Sequence, residues 1–189
     1  MMLSERFIEA LTYATQLHAT QVRKGSGVPY IAHLLGVASI ALEYGANEDE
    51  AIAALLHDAI EDQGGAPTRE EIRRRFGDTV TAIVEGCTDA DTIPKPPWRQ
   101  RKEAYIAHIL TASPSVLLVS ASDKLHNARS ILRDYRMLGE SVWQRFKGGK
   151  EGSLWYYRAL VEAFRQVDAI PVIDELDRVV SELEQIANG

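Results

Sequence analysis

The chain has 189 residues, 46% hydrophobic and 25% charged, enough apolar material for one substantial core and too much for a disordered chain. Its 21 Lys and Arg against 27 Asp and Glu leave a formal charge of −6. That charge argues against general nucleic-acid binding, so a phosphorylated ligand has to meet a local basic pocket. Cys87 is the only cysteine, which excludes an internal disulfide or a multi-cysteine metal knot and fits a reducing cytoplasm. Met1 to Arg6 turns amphipathic at once, and no apolar run is long enough to cross a bilayer, so a soluble, unexported protein is expected.

From Ser4 to Val22, the residues Phe7, Ile8, Leu11, Ala14, Leu17 and Ala19 recur at helical spacing, with Ser4 as N-cap. The segment Arg23-Lys24-Gly25-Ser26-Gly27-Val28-Pro29 breaks the pattern, and a second helix is expected from near Ile31 to Gly45. Asn47 caps a third, Glu48 to about Glu61, whose acidic first turn suits the helix dipole. After Gly64-Gly65-Ala66-Pro67, Thr68 and Glu71 read as the capping box of a short fourth helix, and Asp78 as the cap of a fifth.

The stretch Ala90 to Trp98, with Pro94, Pro96 and Pro97, reads as the main irregular loop. Helical patterning resumes through Ala112, pauses at Pro114 and runs from Ser115 past Arg133. Val116-Leu117-Leu118-Val119 alone would suit a buried strand, but continuation through Leu125, Ala128, Ile131 and Leu132 favours a long core helix. Beyond the glycines at 148, 149 and 152, two amphipathic helices are expected, Leu154–Val167 and Pro171–Ile186. With no repeat or hairpin signal, the reading is an all-α fold, one domain over 1–189, in a bundle of roughly eight to ten helices.

Ionisable residues interrupt this apolar pattern at three places. His57-Asp58-Ala59-Ile60-Glu61-Asp62 follows Leu55-Leu56, His33 sits within Tyr30-Ile31-Ala32-His33-Leu34-Leu35, and Asp123 follows Val119-Ser120-Ala121-Ser122. Unpartnered burial of so many polar groups is costly. On one continuous helix, His57, Asp58, Glu61 and Asp62 would span an arc of roughly 140° and face one cavity. For an isolated His-Asp pair the plain reading is a solvated helix end, and the other two segments weigh against it. Two imidazoles and two carboxylates suit Mn²⁺, Fe²⁺ or Zn²⁺ better than Ca²⁺, and four protein ligands leave about two positions of an octahedral shell open.

Tyr30-Ile31-Ala32-His33, His57-Asp58-Ala59-Ile60-Glu61-Asp62 and Ser122-Asp123-Lys124-Leu125-His126-Asn127-Ala128-Arg129 resemble the three hallmark segments of the HD-superfamily guanosine-polyphosphate hydrolases. That family includes the hydrolase half of the Rel/SpoT stringent-response enzymes and the stand-alone small alarmone hydrolases, the animal Mesh1 type among them. The resemblance runs from about Phe7 to Arg133. It implies His33, His57, Asp58 and Asp123 as metal ligands, Glu61 and Asp62 as the acidic pair that orients water and handles protons, and release of pyrophosphate from the 3′ position of ppGpp-like nucleotides, usually with Mn²⁺. It further implies a protein that degrades alarmone and does not make it, because the chain has no room for synthetase and regulatory domains.

Arg23-Lys24 match the family's basic pair before the first histidine; the arginine suits a purine face and the lysine a phosphate. Asn127 and Ser130, four and seven residues beyond Asp123, match positions that contact the nucleotide. Lys95, Arg101 and Lys102 flank the proline-rich loop within reach of 5′-phosphates, with solvated surface charge as the competing reading. Trp155-Tyr156-Tyr157 reads as core before purine pocket. His126 reads as support for a ligand, and His18 and His108 as surface or satisfied histidines. A small purine nucleotide is the expected partner, with neither nucleic acid nor membrane. The rivals are the same metal chemistry on (p)ppApp, NADPH or another nucleotide, and a catalytically silent alarmone-binding module.

Overall fold

The computed structural model describes residues 2–89, 94–168 and 170–189, and among them the fold is all-α. The helices run α1 Glu5–Leu17, α2 Ile31–Glu43, α3 Glu48–Leu56, α4 Ala59–Asp62, α5 Ala66–Cys87, α6 Trp98–Ile109, α7 Pro114–Leu138, a 3-10 turn Gly139–Arg145, α8 Gly149–Val167 and α9 Pro171–Asn188. Among the described residues no helix is long and apolar enough to cross a membrane.

Several boundaries differ from the sequence reading. Helix α1 starts as expected, with the Ser4 hydroxyl accepting from the Arg6 amide, but ends at Leu17 rather than near Val22. The chain leaves the helix because His18 turns inward, 2% exposed, and stacks on Tyr30. A tight loop follows, closed by Val22 pairing with Pro29. Asn47 caps α3 in a reciprocal capping box with Glu50, as the residue types require.

The third helix does not run on to Glu61. It stops at Leu56, and His57 and Asp58 form a break before the one-turn α4, so the arc expected on a continuous helix does not describe these residues. Thr68 and Glu71 do not form a capping box. Helix α5 begins at Ala66 behind Gly65, whose φ of 63° a side chain would resist. Thr68 instead donates to the Gln63 carbonyl at 2.5 Å, and Glu71 pairs with Arg74 and Arg75. The expected fourth and fifth helices are one element kinked at Gly77, φ 87°. Asp78, expected as a cap, points to solvent and pairs with Arg73 at 3.2 Å. The expected loop from Ala90 lies partly outside the described residues, and Trp98, its last residue, already begins α6. Helix α8 starts at Gly149, five residues before the expected Leu154.

Two apolar clusters make the core, and α7 belongs to both. Val116 and Val119 face α1, α2, α3 and α5. Leu117, Ala121, Leu125 and Ala128 face α6, α8 and α9. A helix buried on two sides reads as a continuous apolar run, which is why its N-terminal part looked locally like a strand.

Ion pairs tie α7 to α9 at the rim. The Arg178 guanidinium, together with that of Arg129 on α7, holds the Glu175 carboxyl at about 2, below its ordinary 4.5. A depressed carboxyl contributes stability above its unfolded pKa and loses it as pH falls through the folded one. Between pH 4.5 and about 2, thermal melts of Glu175→Gln should therefore fall less steeply with acid than those of the unaltered protein.

Candidate active site

Three elements deliver the ionisable cluster. Helix α2 carries His33 in its first turn, the break after α3 carries His57 and Asp58, and the middle of α7 carries Asp123. His33 Nε2 lies 3.5 Å from Asp58 Oδ2 and 3.3 Å from Asp123 Oδ1. His57 Nε2 lies 3.0 Å from Asp58 Oδ2 and 3.5 Å from Asp123 Oδ1. One donor atom from each of His33, His57 and Asp58 falls within 4.8 Å of the others, and Asp123 closes the group from α7.

Each member is oriented by a partner behind it. His57 Nδ1 donates to the Ala54 carbonyl at 2.8 Å, which turns Nε2 toward the two carboxylates. That Nε2 is buried and, among the described residues, has no hydrogen-bond partner. His33 Nδ1 meets His126 Nδ1 at 2.9 Å. Tyr30 donates its hydroxyl to Asp58 Oδ2 at 2.6 Å. Lys124 holds Asp123 Oδ2 at 2.6 Å and Asn127 donates to Asp123 Oδ1 at 2.5 Å.

The electrostatics follow from this packing. Burial opposes charge on His57, but the carboxylates of Asp58 and Asp123 override it and raise its pKa well above the ordinary value. Burial likewise works against the charged forms of Asp58 and Asp123. The His57 charge overrides it for Asp58, Lys124 does so for Asp123, and both carboxyls titrate well below the usual range. His126 is driven the other way, to about 4, by burial and then by the neighbouring charges of His33 and Arg23. It is therefore neutral at pH 7 and able to accept a hydrogen bond.

The acidic pair after the dyad sits on α4. Glu61 Oε1 accepts from Lys95 at 2.8 Å and its Oε2 from the Asp89 amide at 3.2 Å. Asp62 Oδ2 accepts from Gln21 at 2.8 Å, and burial, reinforced by the charge of Asp58, raises its pKa.

Beside the cluster opens a cavity of about 620 Å³, a size suited to a nucleotide-sized ligand. His33, Tyr30, His126, Asn127 and Ser130 belong to its lining. Among the described residues, seven Lys or Arg side chains line it, Arg23, Lys24, Lys102 and Lys124 among them, against one carboxylate, Asp134. An acidic protein has thus gathered positive charge in one place. Glu61 and Asp62 are not part of this lining, contrary to the single shared arc expected from sequence.

The expected contact residues divide. Arg23 Nη2 donates to Asn127 Oδ1 at 2.7 Å, so Arg23 reaches the cluster through Asn127, while Lys24 lines the cavity. Ser130 lines the cavity while its hydroxyl donates to the His126 carbonyl at 2.9 Å. Lys102 also lines it, held by Asp89 at 3.0 Å and set 4.7 Å above the Tyr156 ring. Lys95 is engaged by Glu61, and Arg101 by Asp89. Tyr156 and Tyr157 are both core and cavity wall, whereas Trp155 lies under the Arg99 guanidinium. His18 is buried and bonded to Gln21, and His108 is bonded to the Gly86 carbonyl.

The sequence reading gave no role to Tyr30 or Lys124, nor to Arg133, Arg145 and Lys147 in the cavity lining. Tyr30 was open to inference, lying three residues before His33 and so on the same face of the chain. Lys124 adjoins Asp123. The other three come together through the turn after α7, which has no periodicity to read.

The HD-domain family model matches residues 10–153. The guanosine-3′,5′-bis(diphosphate) 3′-pyrophosphohydrolase MESH1 of Xenopus tropicalis is 42% identical over 129 residues, covering 67% of this chain and 69% of that protein. A probable GTP pyrophosphokinase of Mycobacterium leprae is 39% identical over 125 residues, 65% of this chain but only 15% of that much longer protein. Among solved structures, one described as a metazoan ortholog of SpoT that hydrolyzes ppGpp superposes with a TM-score of 0.79 at 26% identity, covering 97% of this chain and 98% of the other. The chain belongs to the HD-domain family, alongside the Mesh1-type proteins.

Proposed function

We propose that the protein is a metal-dependent guanosine-3′,5′-bis(diphosphate) 3′-pyrophosphohydrolase, acting in the cytoplasm on a free purine nucleotide. The observation that carries this reading is the basic cavity of about 620 Å³ that shares His33 with the His/Asp cluster. Chemically, the oxygen of water joins the proximal phosphorus of the 3′-diphosphate, the bond from that phosphorus to the ribose 3′ oxygen breaks, and the released 3′ oxygen takes up a proton.

The residues present fit a divalent cation. Among the described residues, His57 Nε2 is buried, faces two carboxylates and has no hydrogen-bond partner, which suits a metal-donor atom. In this reading His33, His57, Asp58 and Asp123 hold it, and the nitrogen and oxygen donors suit Mn²⁺ first, with Fe²⁺ or Zn²⁺ as alternatives. The chemistry such a cation supplies when bound is Lewis acidity, which lowers the pKa of water and draws charge from a phosphoryl oxygen. With Nε2 of His33 used as a ligand, its ring proton sits on Nδ1 and is donated to neutral His126. Glu61 and Asp62 orient water and carry protons as a pair. Arg23 and Lys24 engage base and phosphate beside Asn127, while Ser130 and Lys102 contribute from the cavity wall.

Gly36 gives this arrangement a sensitive point. A Cβ there would lie 2.3 Å from His126 Cδ2 and 2.4 Å from its Nε2. Gly36→Ala should displace the ring, free His33 to rotate and weaken Mn²⁺ binding about tenfold or more, measured by competition with a fluorescent chelator.

The substrate assignment is tested by giving metal-free protein, reconstituted with Mn²⁺, separate solutions of ppGpp, pppGpp, ppApp, pppApp and NADPH. Turnover of the guanine pair in preference to the others is expected. Preferred turnover of the adenine pair or of NADPH would overturn the base assignment, and nucleotide binding without any turnover would favour the silent module.

A further inference from the structure

The Asp62 carboxylate is held from outside its own helix. Gln21, in the segment between α1 and α2, donates its amide nitrogen to Asp62 Oδ2 at 2.8 Å. Its amide oxygen meets two other side chains, His18 Nδ1 at 2.6 Å and Gln63 Nε2 at 2.5 Å. The orientation of this amide follows from chemistry. Reversed, it would set its oxygen against the Asp62 carboxylate and its NH₂ against that of Gln63. Because the oxygen is the acceptor, His18 Nδ1 is the donor.

The buttress behind Gln21 is rigid. The His18 ring is 2% exposed and stacks on Tyr30 with centroids 5.3 Å apart and planes at 17°. Tyr30 in turn donates to Asp58 Oδ2 at 2.6 Å. One stacked pair therefore sends two arms into the site, through Tyr30 to Asp58 and through His18 and Gln21 to Asp62. The spacing between those two carboxylates is set by side chains from the loop after α1, not by α4 alone.

We propose that Gln21 is a positioning residue for the hydrolysis: it fixes the orientation of the Asp62 carboxylate relative to the His33, His57 and Asp58 cluster, with His18 as its support. The proposal rests on the role given to Asp62 above. A carboxylate that must orient water gains from being held, since small errors of placement at a reacting centre cost large factors in rate. Gln63, whose amide meets the same oxygen, keeps Gln21 from turning away.

The test is a double-mutant cycle. Gln21→Glu retains an acceptor for His18 and Gln63 but removes the N–H donor to Asp62. It should lower kcat about tenfold or more, leave KM within about twofold and leave the Mn²⁺ content of the purified protein unchanged. Added to Asp62→Asn, it should cost little further, because the contact it breaks is already altered. An unchanged kcat in Gln21→Glu, full additivity of the two losses, or loss of metal from Gln21→Glu would each overturn the proposal.

A readout independent of turnover separates this from the proposed function. In ¹⁵N-labelled protein the Gln21 side-chain amide signal should shift on Asp62→Asn, with the His18 ring signals moving less. An unmoved Gln21 signal overturns the contact, even in a fully active enzyme. A shifted signal in a protein that hydrolyses nothing would support the contact while sinking the catalytic reading it serves.

Discussion

Asp123→Ala is expected to strip the protein of its divalent cation and with it all measurable turnover. Asp123 is the sole contribution of α7 to the cluster, facing both imidazole nitrogens at 3.3 and 3.5 Å. It also accepts from Lys124 and Asn127, and Asn127 in turn holds Arg23. Its removal leaves Lys124, half-buried and paired at 2.6 Å, without its partner charge, which destabilises the fold. Folding is therefore checked alongside by circular dichroism. Asp123→Asn keeps the shape of the side chain while losing the charge and one of the two acceptor oxygens, so it perturbs packing less than alanine does. Metal content by elemental analysis should fall in both variants. A variant at this position that kept metal and turnover would show that α7 supplies no ligand.

Glu61→Gln is expected to behave differently, keeping the cation and losing turnover by about 10²–10⁴-fold, the span associated with a positioned acid or base. Glu61 stands outside the His/Asp cluster, on the turn after it, and is held by Lys95 and the Asp89 amide. The substitution keeps the shape of the side chain and one acceptor oxygen, so either the Lys95 or the Asp89 contact is retained and the other is lost to the new NH₂. Unchanged metal content with kcat reduced at unaltered KM would give Glu61 its place in the chemical step. A rise in KM alone would make it a substrate-binding residue instead. Measuring Asp62→Asn beside it shows whether the pair acts as one unit, in which case the double variant is no worse than the slower single one.

The helical character of the chain and the residues of the cluster were legible because each carries its own signal. Asn47 before an acidic first turn, Ser4 before an amphipathic run, and Asp123 inside an apolar helix are local facts that tertiary packing preserved. What was hidden depended on distant partners. Nothing in Leu55-Leu56-His57-Asp58 marks the break at Asp58, because the apolar pattern runs across it. Thr68 and Glu71 had the right types for a capping box, but Gly65 admitted the chain into α5 earlier. His18 read as either a surface or a satisfied histidine, and the choice fell to burial because Tyr30, twelve residues on, offers it a ring to stack against. The basic cavity was the least legible feature, since its cations come from the loop after α1, from α6, from α7 and from the turn beyond it. In a chain of net charge −6, composition points away from such a pocket until the fold assembles it.

The most direct test of the account is the identity of the product. Metal-free protein reconstituted with Mn²⁺ and given ppGpp should release one pyrophosphate for each GDP formed, resolved by anion exchange, and should release nothing when the metal is withheld. Release of orthophosphate in place of pyrophosphate, or equal turnover in the presence of a chelator, would contradict a cation-dependent attack at the 3′ position.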